Sequence, residues 1–514
     1  LIFNLLLSST VLAQNVMISD QNLPNEPAIK INPYNTAEIV AGANLNNCYY
    51  SSDTGHTWSE LTMTSSFGVW GDPVIDVDTN GTFYFTHLSN TPAGTWIDRI
   101  VCQKSTDGGE TWNDGTFFGL NGVKKQDKQW SIIDKTNNNI YITWTEFDDY
   151  GSSNPSDSSR ILFTKSLDEG ATWSTPLQIN KVSGDCIDED NTVEGAVPAI
   201  GANGEIYVSW AGPAGIRFDK STDQGATWLN DDILINNMPT GWDYSIPGID
   251  RANGMPITKC DLSGGENHGT IYVNWSDQRN GATDTDIWFA KSTDGGETWT
   301  NELKVNDDNT NTHQFFTWMD IDQTTGYLYI IFYDRRSYID NQTDVYVAIS
   351  KDGGETFENT KISEVPFLPN EGVFFGDYTN ISVHNNIVRP IWTRLHNGEL
   401  SIWTDVTKYE IEEEDTTTTS ILNKEDNIEV NSFPNPTNDV LYVSYKVHEE
   451  SIVSISIINE NGQAVKSIVS SQERQYGKYI EQIDLKQHSL AKGQYYINIQ
   501  VNDESKTLRA ILID

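Results

Sequence analysis

One eight-residue pattern, S-x-D-x-G-x-T-[W/F], returns six times along the chain, beginning at Ser51, Ser105, Ser166, Ser221, Ser292 and Ser350. Each fixed position has a task in a β-hairpin turn. The aspartates (Asp53, Asp107, Asp168, Asp223, Asp294 and Asp352) accept backbone N–H bonds inside the turn, and the glycine two residues later takes a positive φ that a side chain would resist. The closing Trp or Phe buries a large ring between neighbouring sheets. Turn chemistry accounts for every fixed position, so these aspartates are read as structural.

Strands of related pattern stand before the turns: TFYFTHLS from Thr82, IYITWTE from Ile140, IYVSWAG from Ile206, IYVNWSD from Ile271 and LYIIFYD from Leu328. Their near-continuous apolar character suits strands packed on both faces. A further strand precedes most of them, as in DPVIDVD from Asp72 and TWMDIDQ from Thr317. The unit is therefore three strands, the turn and a fourth strand, and radial repetition of such units makes an all-β propeller. Units counted by strands favour seven blades, with six as the alternative. The last unit, GDYTNISVH through LSIWTDV, has no turn motif and no fourth strand of its own, and NVMISD near the chain start is placed to supply it.

The rest of the chain follows from composition. LIFNLLLSSTVLA, residues 1–13, reads as the apolar part of a signal peptide cut before Gln14; its lack of Met and of a basic leader suggests a truncated start. The propeller occupies 14–405. An acidic, Thr-rich linker fills 406–430, and 431–514 alternates as a small β-sandwich. Lys+Arg 33 against Asp+Glu 73 gives a net charge of −40, which excludes nucleic acid and anionic membrane surfaces as partners. No segment after the leader is apolar enough to span a bilayer. No cofactor is required, although acidic clusters are the hard-oxygen chemistry that Ca²⁺ takes. Cys48 and Cys102 occupy equivalent places in neighbouring units, too far apart to bond, whereas Cys186 and Cys260 lie in polar, loop-like stretches and are a candidate pair.

Two resemblances add to this reading. The closing domain resembles the type IX secretion C-terminal sorting domain: Phe433-Pro434-Asn435-Pro436 precedes a strand at Val440-Leu441, Leu490, Gly493 and Tyr495 match L-x-x-G-x-Y, and KTLRAILID forms the last strand. That resemblance implies partnership with the type IX secretion machinery and a secreted or outer-surface location. Residues 15–405 resemble the sialidase-like, Asp-box propeller superfamily. Its members include glycoside hydrolases, other polysaccharide-cleaving enzymes and non-enzymatic propellers. The early [F/Y]-R-I-P strand of sialidases corresponds here to PAIKINP, which lacks the arginine. Two functions stay open: a sialidase-like glycoside hydrolase acting on extracellular glycan, or a non-catalytic surface propeller that binds carbohydrate or protein.

The Asp-box turns lie on one face of such a ring, which places a site on the other, at the starts of first strands and the ends of second strands. The starts contribute Trp70, Asp72, Asp127, Lys128, Trp130, Glu194, His313, Gln314, Asp377 and Tyr378; the ends contribute His87, Glu146, Asp277, Arg279, Asp334, Arg335, Arg336 and Arg394. Glycoside cleavage needs an acid and a second group at the anomeric carbon. Asp72 or Asp127 is the expected acid, and Tyr378 with Glu194 the nucleophile and its base. Arg279 and Arg335 are expected to grip a substrate carboxylate, Trp70 and Trp130 to stack on sugar rings, and Asp377 to sit among the binding residues. No histidine has a second at metal spacing, so zinc is not supported.

Overall fold

The computed structural model describes residues 13–408 and, beyond them, 430–433, 437, 440–447, 451–459, 463–475, 477–484, 492–502 and 504–512. Residues 1–12 of the expected signal peptide, residues 409–429 of the expected linker, and Pro434, Asn435, Pro436 and Leu490 of the sorting motif lie outside the described residues. The chain divides into two compact units, Leu1–Ile411 and Glu412–Asp514. Among the described residues every regular element is a strand.

The first unit is a β-propeller that holds seven four-stranded antiparallel sheets. Their innermost strands are Ala28–Ile31, Val74–Val77, Lys125–Ile133, Glu194–Ile200, Ile257–Cys260, Gln314–Asp322 and Asn380–His384. Each meets the next, and the last meets the first, so they surround an axis. The chain start closes the ring: Asn15–Ser19 pairs antiparallel with Glu399–Asp405 as outer strand of the last sheet. The second strands are buried on both faces, and Trp144, Trp210, Trp275 and Trp392 repeat at one level of them, fully enclosed. Rings of that size fill the wedge between radiating sheets, which smaller side chains would leave open.

The turn motifs behave as their composition requires. In all six the aspartate Oδ1 accepts the threonine backbone N–H at 2.8–3.0 Å, and the motif serine Oγ accepts the glycine N–H. The closing rings reach back to the preceding sheet: Trp228 meets Phe163, Trp299 meets Phe218 and Phe357 meets Phe289 edge-on. A second tie joins sheets forward. The lysine just before the motif serine donates to a carbonyl in the next sheet's turn, Lys165 to Gln224 at 2.7 Å, Lys220 to Gly295 and Lys291 to Gly353 at 2.8 Å each. Each turn is thus both a local cap and an inter-sheet clamp.

All four cysteines are buried and free, so the expected Cys186–Cys260 bond is not formed. Cys260 is not in a loop; it ends an innermost strand on the turn-motif side. Cys186 lies in the connection that precedes Glu194, at the opposite end of the strands.

In the second unit, Val430–Phe433, Val440–Val447 and Gly477–Asp484 form one sheet, and Ala464–Arg474, Ser451–Asn459, Gly493–Val501 and Glu504–Leu512 form another. Alternate residues Val453, Ile455 and Ile457 are buried with Leu441, Val443, Ile497 and Ile499 in one core. Alternation of that kind follows from a sheet with one buried face.

Candidate functional site

A backbone feature recurs where the innermost strands begin. Glu26, Asp72, Lys128, Gly195, Phe316 and Gly376 all have positive φ, between 48° and 96°. Glycine adopts this conformation freely, but Glu26 (φ 48°), Asp72 (φ 50°) and Lys128 (φ 48°) do so at a cost on the order of 1 kcal/mol or more each. The residues two places on from Lys128, Phe316 and Gly376 are Trp130, Trp318 and Tyr378. Trp130 lies 4.4 Å from Trp318 and 5.1 Å from Tyr378 between ring centroids, so three rings block the axis.

Over this aromatic floor the strained residues assemble a charged cluster. Lys128 is its hub: Nζ lies 2.6 Å from Asp377, 3.3 Å from Asp72 and 3.6 Å from Glu26. Arg251 grips Asp377 with two nitrogens, Nε at 2.8 Å from Oδ1 and Nη2 against Oδ2, while Nη1 reaches Asp188 at 2.9 Å. Asp188 also accepts the Tyr150 hydroxyl at 2.6 Å. Arg251 sits just before the second strand of a small hairpin, Asp243–Tyr244 paired with Ala252–Asn253, inserted between the fourth and fifth sheets. The Tyr244 hydroxyl bonding the Asn253 carbonyl at 2.8 Å and Asn253 Nδ2 bonding the Asp377 carbonyl at 2.9 Å hold that hairpin over the axis.

The electrostatics divide these carboxyls by environment. Burial alone would raise the Asp377 carboxyl, but Lys128 and Arg251 hold it well below the usual range. Burial would depress the Lys128 amine; Asp377, Asp72 and Glu26 overcome that and hold it high. Asp127, 8% exposed, is pushed up to about 7, mainly by burial, with Asp72 and Asp188 adding to the effect against Lys128. Glu194, 1% exposed, has no hydrogen-bond partner on either oxygen and is raised well above the carboxylate range by burial and then by Asp188 and Asp127. Glu26 is likewise raised by burial. One mouth of the axis therefore holds ion-paired carboxylates beside carboxyls that favour their protons.

The structure brings Asp72, Asp127, Lys128, Glu194, Asp377 and Tyr378 together, as the starts of first strands were expected to be. It does not form the expected Tyr378–Glu194 pair: neither the Tyr378 hydroxyl nor the Glu194 carboxyl has a hydrogen-bond partner. Tyr378 packs instead in the aromatic floor, with Lys128 Nζ 5.8 Å from its ring centre. Trp130, 5% exposed, is part of that floor rather than a free stacking surface, and Trp70 packs half-buried beside the second and third sheets.

The ends of second strands do not join the cluster, because those strands stand one position away from the axis. Arg279 pairs with Asp277 and Glu302 and lies over Trp288. Arg336 pairs with Asp334 and Asp307, Glu146 with Arg160 and Lys124, and Arg394 lies over Trp403. His87 is fully buried against Gln103; His313, at the start of a first strand, also stays outside the cluster and bonds Thr285. Arg335, 2% exposed, donates to Thr343 and to the Pro247 carbonyl of the inserted connection, so it anchors that connection instead of gripping a substrate. Sequence reasoning missed Glu26, Asp188 and Arg251. Glu26 was reachable by aligning the first sheet on Asp72 and Lys128, whereas Arg251 lies in an insertion that no other unit repeats.

Comparison with known proteins adds the following. The model of the secretion system C-terminal sorting domain family matches residues 431–514. No curated protein matches the chain. Solved structures with similar arrangement include a Hadza microbial sialidase at 15% identity, covering 72% of this chain and 73% of that one, with a TM-score of 0.39. A protein of unknown function from Dyadobacter fermentans is 12% identical, covering 77% and 97%, with a TM-score of 0.43. A polysaccharide lyase, an ulvan lyase, is 13% identical, covering 76% and 95%, with a TM-score of 0.44. Likeness at this level carries no chemistry with it. The C-terminal unit, by contrast, is a type IX secretion sorting domain, and the chain that ends in it is a secreted or outer-surface protein.

Proposed function

We propose that the protein acts on extracellular glycan at the carboxyl-rich mouth of its propeller axis, cleaving a glycosidic bond with Asp127 as proton donor. The observation that carries this reading is the contrast inside one cluster: Asp127 pushed up to about 7 next to Asp377 held low by Lys128 and Arg251. Carboxyls set apart in this way are what acid catalysis of glycoside cleavage needs, one able to give a proton near neutral pH and one fixed in its charged form. Asp72 is the weaker candidate for the acid, because Lys128 sits on its carboxylate.

The same geometry narrows the substrate. Lys128 and Arg251 are already committed to the carboxylates of Glu26, Asp72, Asp188 and Asp377. With neither cation free to pair with a sialic or uronic acid, a neutral sugar fits better. The second reading, recognition without cleavage, is favoured by one observation: the Tyr378 hydroxyl is buried without a partner, so no nucleophile stands ready. A hydrolysis screen of neutral polysaccharides, sialosides and uronates with wild type and Asp127→Asn separates the readings. Products from a neutral glycan that disappear in Asp127→Asn support cleavage. Turnover of a sialoside, or turnover unchanged in the variant, overturns it, and binding without product from any glycan supports recognition alone.

A further inference from the structure

The axis has a second mouth, on the face of the turn motifs, and it is built differently. Past the aromatic floor of Trp130, Trp318 and Tyr378, the innermost strands carry Ile31, Ile133, Ile200, Ile321 and Val383 at their far ends. Aliphatic side chains are too short to meet across a ring of this many strands. They leave a cavity of about 910 Å³, open between the turns that leave those strands, with Tyr34 and Leu262 exposed at its rim. That is the size at which small-molecule sites are found.

In a chain of net charge −40 this cavity gathers Lys30, Lys135 and Lys259 from three different sheets or their turns, matched in number by Asp134, Asp223 and Asp320. Lys259 is paired with Asp320 at 3.1 Å. The other two are poorly compensated. The carboxylate within ion-pair reach of Lys30 is Asp76, at 3.9 Å, and Asp76 is also bonded by the Ser131 hydroxyl. Lys135 has no carboxylate within ion-pair reach among the described residues, and its amine donates to the Val77 carbonyl. Asp78 and Asp134 lie nearby, but each is committed to its own turn: Asp78 accepts from the backbone of Asn80 and Thr82, and Asp134 from Thr136 and Asn137. Enclosure of its amine against the Val77 carbonyl, then the neighbouring Lys30, lower the proton affinity of Lys135, whose side chain is otherwise exposed.

We propose that this cavity is a second ligand site, independent of the glycan mouth, that takes a small anionic amphiphile with its charged head between Lys30 and Lys135 and its apolar body along the aliphatic strand ends. An anion there supplies the missing counter-charge for two amines of unlike sheets at once, and the apolar body removes from water the surface that the strand ends leave unfilled.

The test is calorimetric titration of the full chain with decanoate, decanol and decylamine, for wild type, Lys135→Met and Lys135→Arg. Thermal unfolding of each variant checks that the fold is kept. Decanoate is expected to bind saturably, with affinity falling about tenfold or more in Lys135→Met and largely kept in Lys135→Arg. Absence of saturable decanoate binding overturns the proposal. So does decylamine binding as well as decanoate, affinity unchanged in Lys135→Met, or loss of binding in Asp127→Asn with Lys135→Met unaffected, which would place the ligand at the other mouth.

Discussion

Replacing Lys128 by Met removes the hub of the carboxyl cluster at nearly constant volume. Lys128 is 4% exposed, and its amine has Asp377, Asp72 and Glu26 at 2.6, 3.3 and 3.6 Å. Breaking a buried pair from one side leaves its partner charge uncompensated, which costs about 3–5 kcal/mol. For a unit of roughly 390 residues the unfolding entropy is about 0.8 kcal/mol/K, so the expected fall in Tm at pH 7 is about 4–6 °C. The deficit should depend on pH. In the wild type Asp377 is held below its unfolded value, so its contribution is present above about pH 4 and is lost as pH falls. Lys128 is held above its unfolded value, so its contribution is complete below about pH 10 and is lost above. The variant loses the Lys128 contribution and keeps only the Arg251 grip on Asp377, and its stranded carboxyls relieve their repulsion by binding protons. Scanning calorimetry from pH 8 to pH 4 should therefore show the gap to wild type narrowing as pH falls. A gap that is constant across that range, or a variant as stable as wild type at pH 7, would refute the hub role.

Further expectations concern the turns, the closure and the thiols. A Cβ on Gly225 would stand 2.2 Å from Phe163 Cε1 at a φ of 77°, so Gly225→Ala should lower stability by about 2–4 kcal/mol in denaturant titration, whereas Gly151→Ala, with open space around it, should cost far less. Deleting Asn15–Ser19 leaves Glu399–Asp405 as an unpaired edge; self-association by size exclusion is the expected outcome, and a well-behaved monomer of unchanged Tm would contradict the closure. Burial pushes the Cys102 and Cys260 thiols up to about 12, so all four buried cysteines should resist Ellman's reagent in the native protein and react fully in guanidinium.

The fold was far more legible than the site, and particular residues say why. The Asp-box turn is a local device, in which Ser51, Asp53, Gly55 and Thr57 satisfy one another within seven residues, so its purpose can be read from spacing alone. The missing fourth strand of the last sheet and NVMISD at the chain start were also complementary on sight. The site is assembled from six separate strand starts and one inserted hairpin, and only the repeat alignment links the strand starts; it retrieved Asp72, Asp127, Lys128, Glu194 and Asp377. It failed at Arg279 and Arg335 because each finds a partner close by, Asp277 at the end of its own strand for Arg279 and the Pro247 carbonyl of the inserted connection for Arg335. It failed at Arg251 because an inserted hairpin has no counterpart to align with. Nothing local marks Tyr378 and Trp130 as a floor instead of a nucleophile and a stacking platform; that depends on how wide the ring is at their level.

The most direct test of the glycan-acting account is the dependence of kcat/KM on leaving group for wild type and Asp127→Asn, measured on a neutral glycoside the wild type cleaves. If Asp127 donates the proton, the variant should lose about 10²–10⁴-fold on a sugar leaving group and much less on an activated aryl leaving group that departs without protonation. The wild-type rate on the sugar leaving group should also fall as pH rises through about 7, where Asp127 loses its proton. Equal losses on both substrates, or no loss on either, would contradict the assignment of Asp127 as the acid.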